Sequence, residues 1–246
     1  MKVLFVGPTL PDATDHATGI AIRGPAVQGD IFRAVEEGAT VIGIVDGGFE
    51  YTAPVWHKEI LYALNAGARV LGAASMGALR AAECHSFGMI GIGRIFEEYR
   101  DGNRVDDSDV AQIHGPAALG WIPLSEPLVN ITATLDRLLH KQLVSLTEAR
   151  HLEAVARAIF FKERTWRSII ARALIPNEER RSTIPVAVQA HSVNLKRADA
   201  IALVETMSRL DAKRSTSAPA WTFERTTLWN EMQKYHCAAN TSGHPS

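Results

Sequence analysis

Cysteine is almost missing from this chain: of its 246 residues, only Cys84 and Cys237 are cysteines. Two cysteines exclude a disulfide scaffold and a cysteine-rich zinc site. No apolar run approaches the ~18 residues that a membrane-spanning helix needs. The N-terminus, MKVLFVGPTL, has one lysine and a short apolar run broken by Gly7 and Pro8. It reads as a first strand and not as a signal peptide, so a cytoplasmic protein is the expectation. There is no Lys/Arg-rich run with interleaved aromatics, and nucleic acid is not an expected partner. Cys84-His85 has no second pair at metal spacing, so no metal and no cofactor are expected. What remains is a chain with 46% hydrophobic and 22% charged residues, enough to fold around its own core.

The formal net charge of −1 hides a division. Residues 1–135 hold 9 Lys and Arg against 16 Asp and Glu, and residues 136–246 hold 17 against 11. Such an asymmetry suggests separate partners, or two faces that complement one another.

The first half alternates short apolar runs with helical patterns. Val3–Val6 reads as a strand, and 10–24 as a long loop rich in Asp, Thr and Gly. A helix is expected from Pro25 to Gly38, then a strand at Val41–Val45 whose β-branched residues suit burial on both faces. A second helix with Pro54 in its first turn, a strand at Arg69–Ala73 and a helix through Ala78 and Ala82 follow. This order predicts an α/β fold, a mostly parallel sheet flanked by helices. From Leu128 the apolar spacing becomes helical throughout, with Thr147 as an expected N-cap. Residues 1–135 are therefore read as an α/β core domain, 136–238 as an all-helical C-terminal region, and 239–246 as a disordered tail. A linker is expected at Ser215–Pro219, followed by a short helical segment from Phe223 to Tyr235.

The most informative segment is Gly72-Ala73-Ala74-Ser75-Met76-Gly77. A buried strand runs into a serine and a helix of small residues starts behind it, which is the strand–nucleophile–helix order of hydrolase elbows with Ala73 in place of the first glycine. The N–H groups at the helix start, around Met76 and Gly77, can hold an oxyanion. The alternative is that Ser75 is simply the N-cap. Lys58 stands in a helix first turn, where the dipole disfavours a cation and a buried amine would become a base; the alternative is a solvated or paired lysine. His57, next to Trp56, is a second candidate base. Asp46, beside Gly47 and Gly48 at a strand's carboxyl end, lies where parallel sheets bind ligands, and would orient Lys58 or a backbone N–H. Gly88–Gly93 lacks the dinucleotide order and reads as a loop leading into a helix. Asp106–Asp109 lacks the glycine and distal Glu of a calcium loop and reads as a solvated acidic turn or a docking patch.

The runs Phe5-Val6-Gly7-Pro8, Gly24-Pro25-Ala26, Gly29-Asp30, Ile44-Val45-Asp46-Gly47, Trp56-His57-Lys58-Glu59-Ile60-Leu61, Ala74-Ser75-Met76-Gly77-Ala78-Leu79-Arg80-Ala81-Ala82-Glu83, Gly88-Met89, Gly91-Ile92-Gly93 and Val129-Asn130 resemble the TfuA-like family. The resemblance covers roughly residues 1–135. It implies a role in peptide backbone thioamidation beside a YcaO enzyme, with sulfide released from a thiocarboxylated ThiS-like carrier protein. It also implies a hydrolase with a Ser–Lys pair, the serine falling on Ser75 and the lysine on Lys58. Small residues (Gly47, Gly48, Ala73, Ala74) suit a narrow groove for the carrier's tail, with Asp46, His57, Arg80 and Glu83 as supporting residues and Arg80 or Arg23 to neutralise the tail. The main alternative is a non-catalytic adaptor that docks the YcaO enzyme and its precursor peptide; a small-molecule esterase stands third.

Overall fold

The apolar runs become a five-stranded parallel sheet in the computed structural model, which describes residues 1–48, 51–216 and 219–241. The strands are β1 (Lys2–Phe5), β2 (Ala21–Arg23), β3 (Val41–Ile44), β4 (Arg69–Ala73) and β5 (Ile90–Ile92), in the order β2-β1-β3-β4-β5. From β1 the chain steps outward to β2 and then returns to the other side of β1 for β3. The connections after β1 and β3 therefore diverge, and a crevice opens at their carboxyl ends.

Every residue of β3 is buried, as its unbroken apolar run requires of a strand covered on both faces. On one face Val3, Phe5, Ile42, Ile44 and Val70 pack against α2 (Asp30–Glu36), α3 (His57–Asn65) and α4 (Met76–Cys84). The other face carries Leu4, Val41, Val45, Leu71 and Ala73. It is covered by α1 (Ala13–His16) and by α10 (Leu195–Arg209), through Ala200, Leu203, Val204 and Met207. A Cβ on Gly43 would lie 2.3 Å from the Met207 sulfur, so the missing side chain lets α10 sit close to β3. A helix of the C-terminal half thus completes the layer begun by the N-terminal half.

The remaining elements are α5 (Arg94–Arg100), α6 (Leu128–His140), α7 (Leu146–Ala158), α8 (Trp166–Arg172), α9 (Glu178–His191) and α11 (Thr227–Thr241). Helices α6 to α9 share a core of their own around Leu128, Ile131, Leu152, Ile169 and Ile184. Helix α11 is anchored by Trp229, buried against Phe32 of α2 and the rings of Tyr62 and Phe223. Among the described residues no helix is long and apolar enough to cross a membrane.

Several local expectations are corrected. The expected loop at 10–24 contains α1 and β2, and the 88–93 segment contains β5; both strands are three residues long, too short to leave a periodic signal. The helix expected from Pro25 starts at Asp30, after Gly29 in a left-handed conformation. The cap of α7 is Ser145 and not Thr147: its hydroxyl accepts the Glu148 N–H at 3.2 Å while Glu148 accepts the Ser145 N–H at 2.7 Å. In the acidic turn Asp109 is buried and paired with Arg104 at 2.5 Å. Of the expected linker, Ser217 and Ala218 lie outside the described residues, whereas the Ser215 N–H donates to the Gly67 carbonyl and ties this segment to the α3–β4 turn. The final helix runs to Thr241, and 242–246 lie outside the described residues.

Helix α4 is pressed onto the ends of β3 and β4. A Cβ on Gly77 would stand 1.8 Å from the Ile44 carbonyl oxygen, and one on Gly72 would stand 2.1 Å from the Gly77 carbonyl oxygen. Backbone meets backbone there, so no side chain can yield to make room. Gly77→Ala is therefore expected to lose more than about 3 kcal/mol in denaturant unfolding; near-native stability would show that α4 can slide. Leu203→Ala, at a fully buried position, should lose about 2–5 kcal/mol in a single cooperative transition. A sheet that unfolds as before in this variant would mean that α10 is dispensable to it.

Candidate active site

The site begins where β4 turns into α4. Ala74 adopts φ +67, and the Ser75 N–H donates to the Ala73 carbonyl at 2.8 Å, closing a tight three-residue turn. A left-handed alanine costs about 1–2 kcal/mol, strain of the kind that collects at functional sites. Ser75 then occupies the N-cap position of α4, but its hydroxyl makes no capping bond and has no hydrogen-bond partner among the described residues. Ser75 thus stands at the cap position without making the capping bond. Ser75 instead lines a cavity of about 330 Å³, together with Pro8 from the end of β1, Asp46 and Gly47 from the end of β3, and Lys196 from α10. The cavity lies in the crevice that the strand order opens.

Asp46 is buried and saturated. Its Oδ2 accepts the N–H groups of Gly7 and Thr9 at 2.8 and 3.0 Å, and its Oδ1 accepts the Thr9 hydroxyl at 2.5 Å. Of the two roles expected for it, it holds backbone N–H groups, fixing the loop after β1, and does not orient Lys58. Gly47 and Gly48 follow it on the lining, while Phe49 and Glu50 lie outside the described residues.

The N–H groups at the start of α4 divide. That of Gly77 donates to the Val45 carbonyl at 3.1 Å and is unavailable to an oxyanion, which corrects the expectation for this residue. Those of Met76 and Gly47 have no acceptor among the described residues, and both residues line the cavity. An N–H from the residue after the nucleophile combined with one from a neighbouring strand's loop is how hydrolase elbows assemble an oxyanion hole.

The other expected residues gather elsewhere. Lys58 is not on the cavity lining; its ammonium lies 5.0 Å from the centre of the Phe223 ring, on the side of α3 that faces the segment before α11. His57 Nε2 lies 2.7 Å from Glu83 Oε2, which also accepts Arg80 Nη1 at 2.7 Å, and Arg80 Nε donates to the Val55 carbonyl. This His57–Glu83–Arg80 network bridges α3 and α4, and none of the three is on the cavity lining. Burial would raise the Glu83 pKa, but the His57 and Arg80 partners outweigh it and hold the carboxyl below its ordinary value. Arg23 is paired with Glu37. Glu59, fully buried, accepts the N–H groups of Gly29, Phe32 and Trp56 and caps α2; burial nevertheless raises its pKa. Among the described residues no group of three or more His, Cys, Asp or Glu is placed to hold a metal ion.

Three cavity residues escaped the sequence reading. Asp107 lines it with its pKa raised by burial and by Glu83. His114 donates from Nδ1 to the Gly115 carbonyl at 2.9 Å, which leaves Nε2 as an acceptor in the neutral ring. Lys196 is the third, and only 4% of it is exposed. Its Nζ donates to the Val110 carbonyl at 3.0 Å, and burial lowers its pKa against the opposing pull of Asp46. Its backbone N–H donates to Asn130 Oδ1 at 3.1 Å, so the asparagine of the Val129-Asn130 run sets the start of α10. A sequence signal existed: Lys196, Ala200, Leu203 and Met207 share one helical stripe, and the other three are apolar.

Among curated proteins none matches this chain. A family model described as TfuA-like protein matches residues 46–165, just under half of the chain. The match takes in the runs around Asp46, Lys58, Ser75, Gly88 and Asn130 and extends beyond residue 135, while the runs at Phe5, Gly24 and Gly29 precede it. Through residues 46–165 the chain is similar to the TfuA-like proteins.

Proposed function

We propose that this chain is an accessory hydrolase of peptide backbone thioamidation, releasing hydrosulfide from a thiocarboxylated ThiS-like carrier protein for use by a YcaO enzyme. The observation that carries the reading is the Ser75 hydroxyl, uncapped and unpartnered on a cavity at the end of a strained turn. A hydroxyl left free at a helix start forgoes a capping bond of about 1 kcal/mol, which makes sense where it is needed for chemistry. Ser75 Oγ attacks the thiocarboxylate carbon, the N–H groups of Met76 and Gly47 receive the developing oxyanion, hydrosulfide departs, and water frees the carrier carboxylate. The cavity is at the small end for ligand sites and suits a slender chain terminus better than a bulky molecule. The resemblance pairs Ser75 with Lys58, whose ammonium would have to leave the Phe223 ring to reach the cavity.

The adaptor reading also has an observation in its favour. Leu119, Ile122 and Leu124 stand 55–62% exposed on the 115–124 loop, next to the cavity-lining segment 110–114. Exposed apolar side chains grouped in this way are suited to a protein partner, here the YcaO enzyme or its precursor peptide.

The two readings part in one experiment. Sulfide release from a thiocarboxylated carrier is expected to fall at least ~100-fold in Ser75→Ala, with the fold unchanged. Undiminished release, or full thioamidation by the variant with a YcaO enzyme and its peptide, would leave the adaptor standing and remove the hydrolase.

A further inference from the structure

A second cavity opens among the C-terminal helices, apart from Ser75. It measures about 710 Å³, within the range of small-ligand sites and over twice the volume of the Ser75 cavity. Its walls are mostly apolar, with Trp166 and Ile170 from α8, Val188 from α9 and Val193 from the link before α10. One carboxylate is set among them, that of Glu126, immediately before the N-cap of α6.

The buried acids elsewhere are satisfied. Asp46 and Glu59 accept backbone N–H groups, Asp109 is paired with Arg104, and Asp199 accepts the N–H groups of Arg94 and Ile95 at 3.3 and 2.9 Å. Glu126 differs. Its backbone N–H donates to the Arg164 carbonyl, but its carboxylate accepts no hydrogen bond and forms no ion pair among the described residues. Burial raises its pKa, and no neighbouring charge opposes the shift. A carboxylate desolvated without compensation costs stability, a cost that a ligand of opposite charge removes. Arg167 also lines the cavity, but from an exposed position, and it does not pair with Glu126.

A cation on an alkyl stem fits this combination. The carboxylate receives the charge, the apolar walls receive the methylenes, and the indole of Trp166 offers a face to the cation.

We infer that this cavity takes the side chain of a lysine or arginine from a peptide bound along the 115–124 loop. What adjoins the cavity favours a peptide over a free amine. Pro123 is on the lining, and the exposed Ile122 and Leu124 flank it, so the residues on either side of an inserted side chain find apolar support. Gln112 lines both this cavity and that of Ser75, and its amide is fixed on the Ser125 carbonyl at 3.0 Å. A peptide held here therefore lies beside the candidate active site. The inference shares its apolar strip with the adaptor reading and does not depend on hydrolysis at Ser75.

The intact chain, isotope-labelled in its tryptophan indoles, can be titrated near neutral pH with the blocked pentapeptide acetyl-Leu-Ala-Arg-Ala-Leu-amide. The peptide should shift the Trp166 indole N–H signal, assigned with Trp166→Phe, and bind at least ~10-fold more tightly than its counterpart with norleucine in place of arginine. Glu126→Gln should remove that preference, while its melting temperature equals or exceeds that of the unaltered protein, because an uncompensated carboxylate has become a neutral amide. Arg167→Ala should keep the preference, and n-butylguanidine alone should bind at least ~10-fold more weakly than the peptide. Equal binding of the two peptides, or a preference that survives in Glu126→Gln, would overturn the assignment. So would a melting temperature lowered by more than about 4 °C in Glu126→Gln, which would make the carboxylate structural. Loss of binding in Arg167→Ala would make the site one for anions, and butylguanidine binding as tightly as the peptide would make the ligand a free small cation; each overturns the inference. None of these outcomes touches the reading of Ser75, which stands or falls with sulfide release.

Discussion

The contact between the first turn of α4 and the ends of β3 and β4 governs the rest. Gly77 lies so close to the Ile44 carbonyl that only a hydrogen fits at its Cα, and its N–H is spent on Val45. With α4 held there, the chain between Ala73 and Met76 has two residues in which to reverse direction, and the strain falls on Ala74. The hydroxyl of Ser75 makes no capping bond, and the residue lines the crevice at the sheet's carboxyl edge. The same contact also decides which helix-start N–H groups remain open.

The second constraint comes from the far half of the sequence. Helix α10 covers the back of the sheet, with Gly43 admitting Met207, and Asn130 fixes where that helix begins. Its first turn reaches the cavity at the sheet's carboxyl edge, so a packing helix also contributes Lys196 to the lining. Placing Lys196 there is unfavourable twice: the amine is desolvated, and it sits in the first turn of a helix, where the dipole repels a cation. Both effects favour the uncharged form.

Much of this is legible in the sequence. The β-branched run at Val41–Val45 identifies the parallel sheet, because such a run packs best as a strand buried on both faces. The Ala-Ala-Ser-Met-Gly turn identifies the candidate nucleophile, because small residues at a strand–helix junction permit the sharp bend that exposes a hydroxyl. Strands β2 and β5 are not legible: with three residues each, they are defined by their neighbours and not by their own pattern. The site is only partly legible. Local spacing finds groups near Ser75 in sequence, and Lys58, His57, Arg80 and Glu83 are all near, yet the turn of α3 aims Lys58 at Phe223 and commits the other three to one another. Lys196 is 121 positions from Ser75 in the numbering of the chain, and only the return of α10 across the sheet joins them. Its one local trace is a charge on an otherwise apolar stripe.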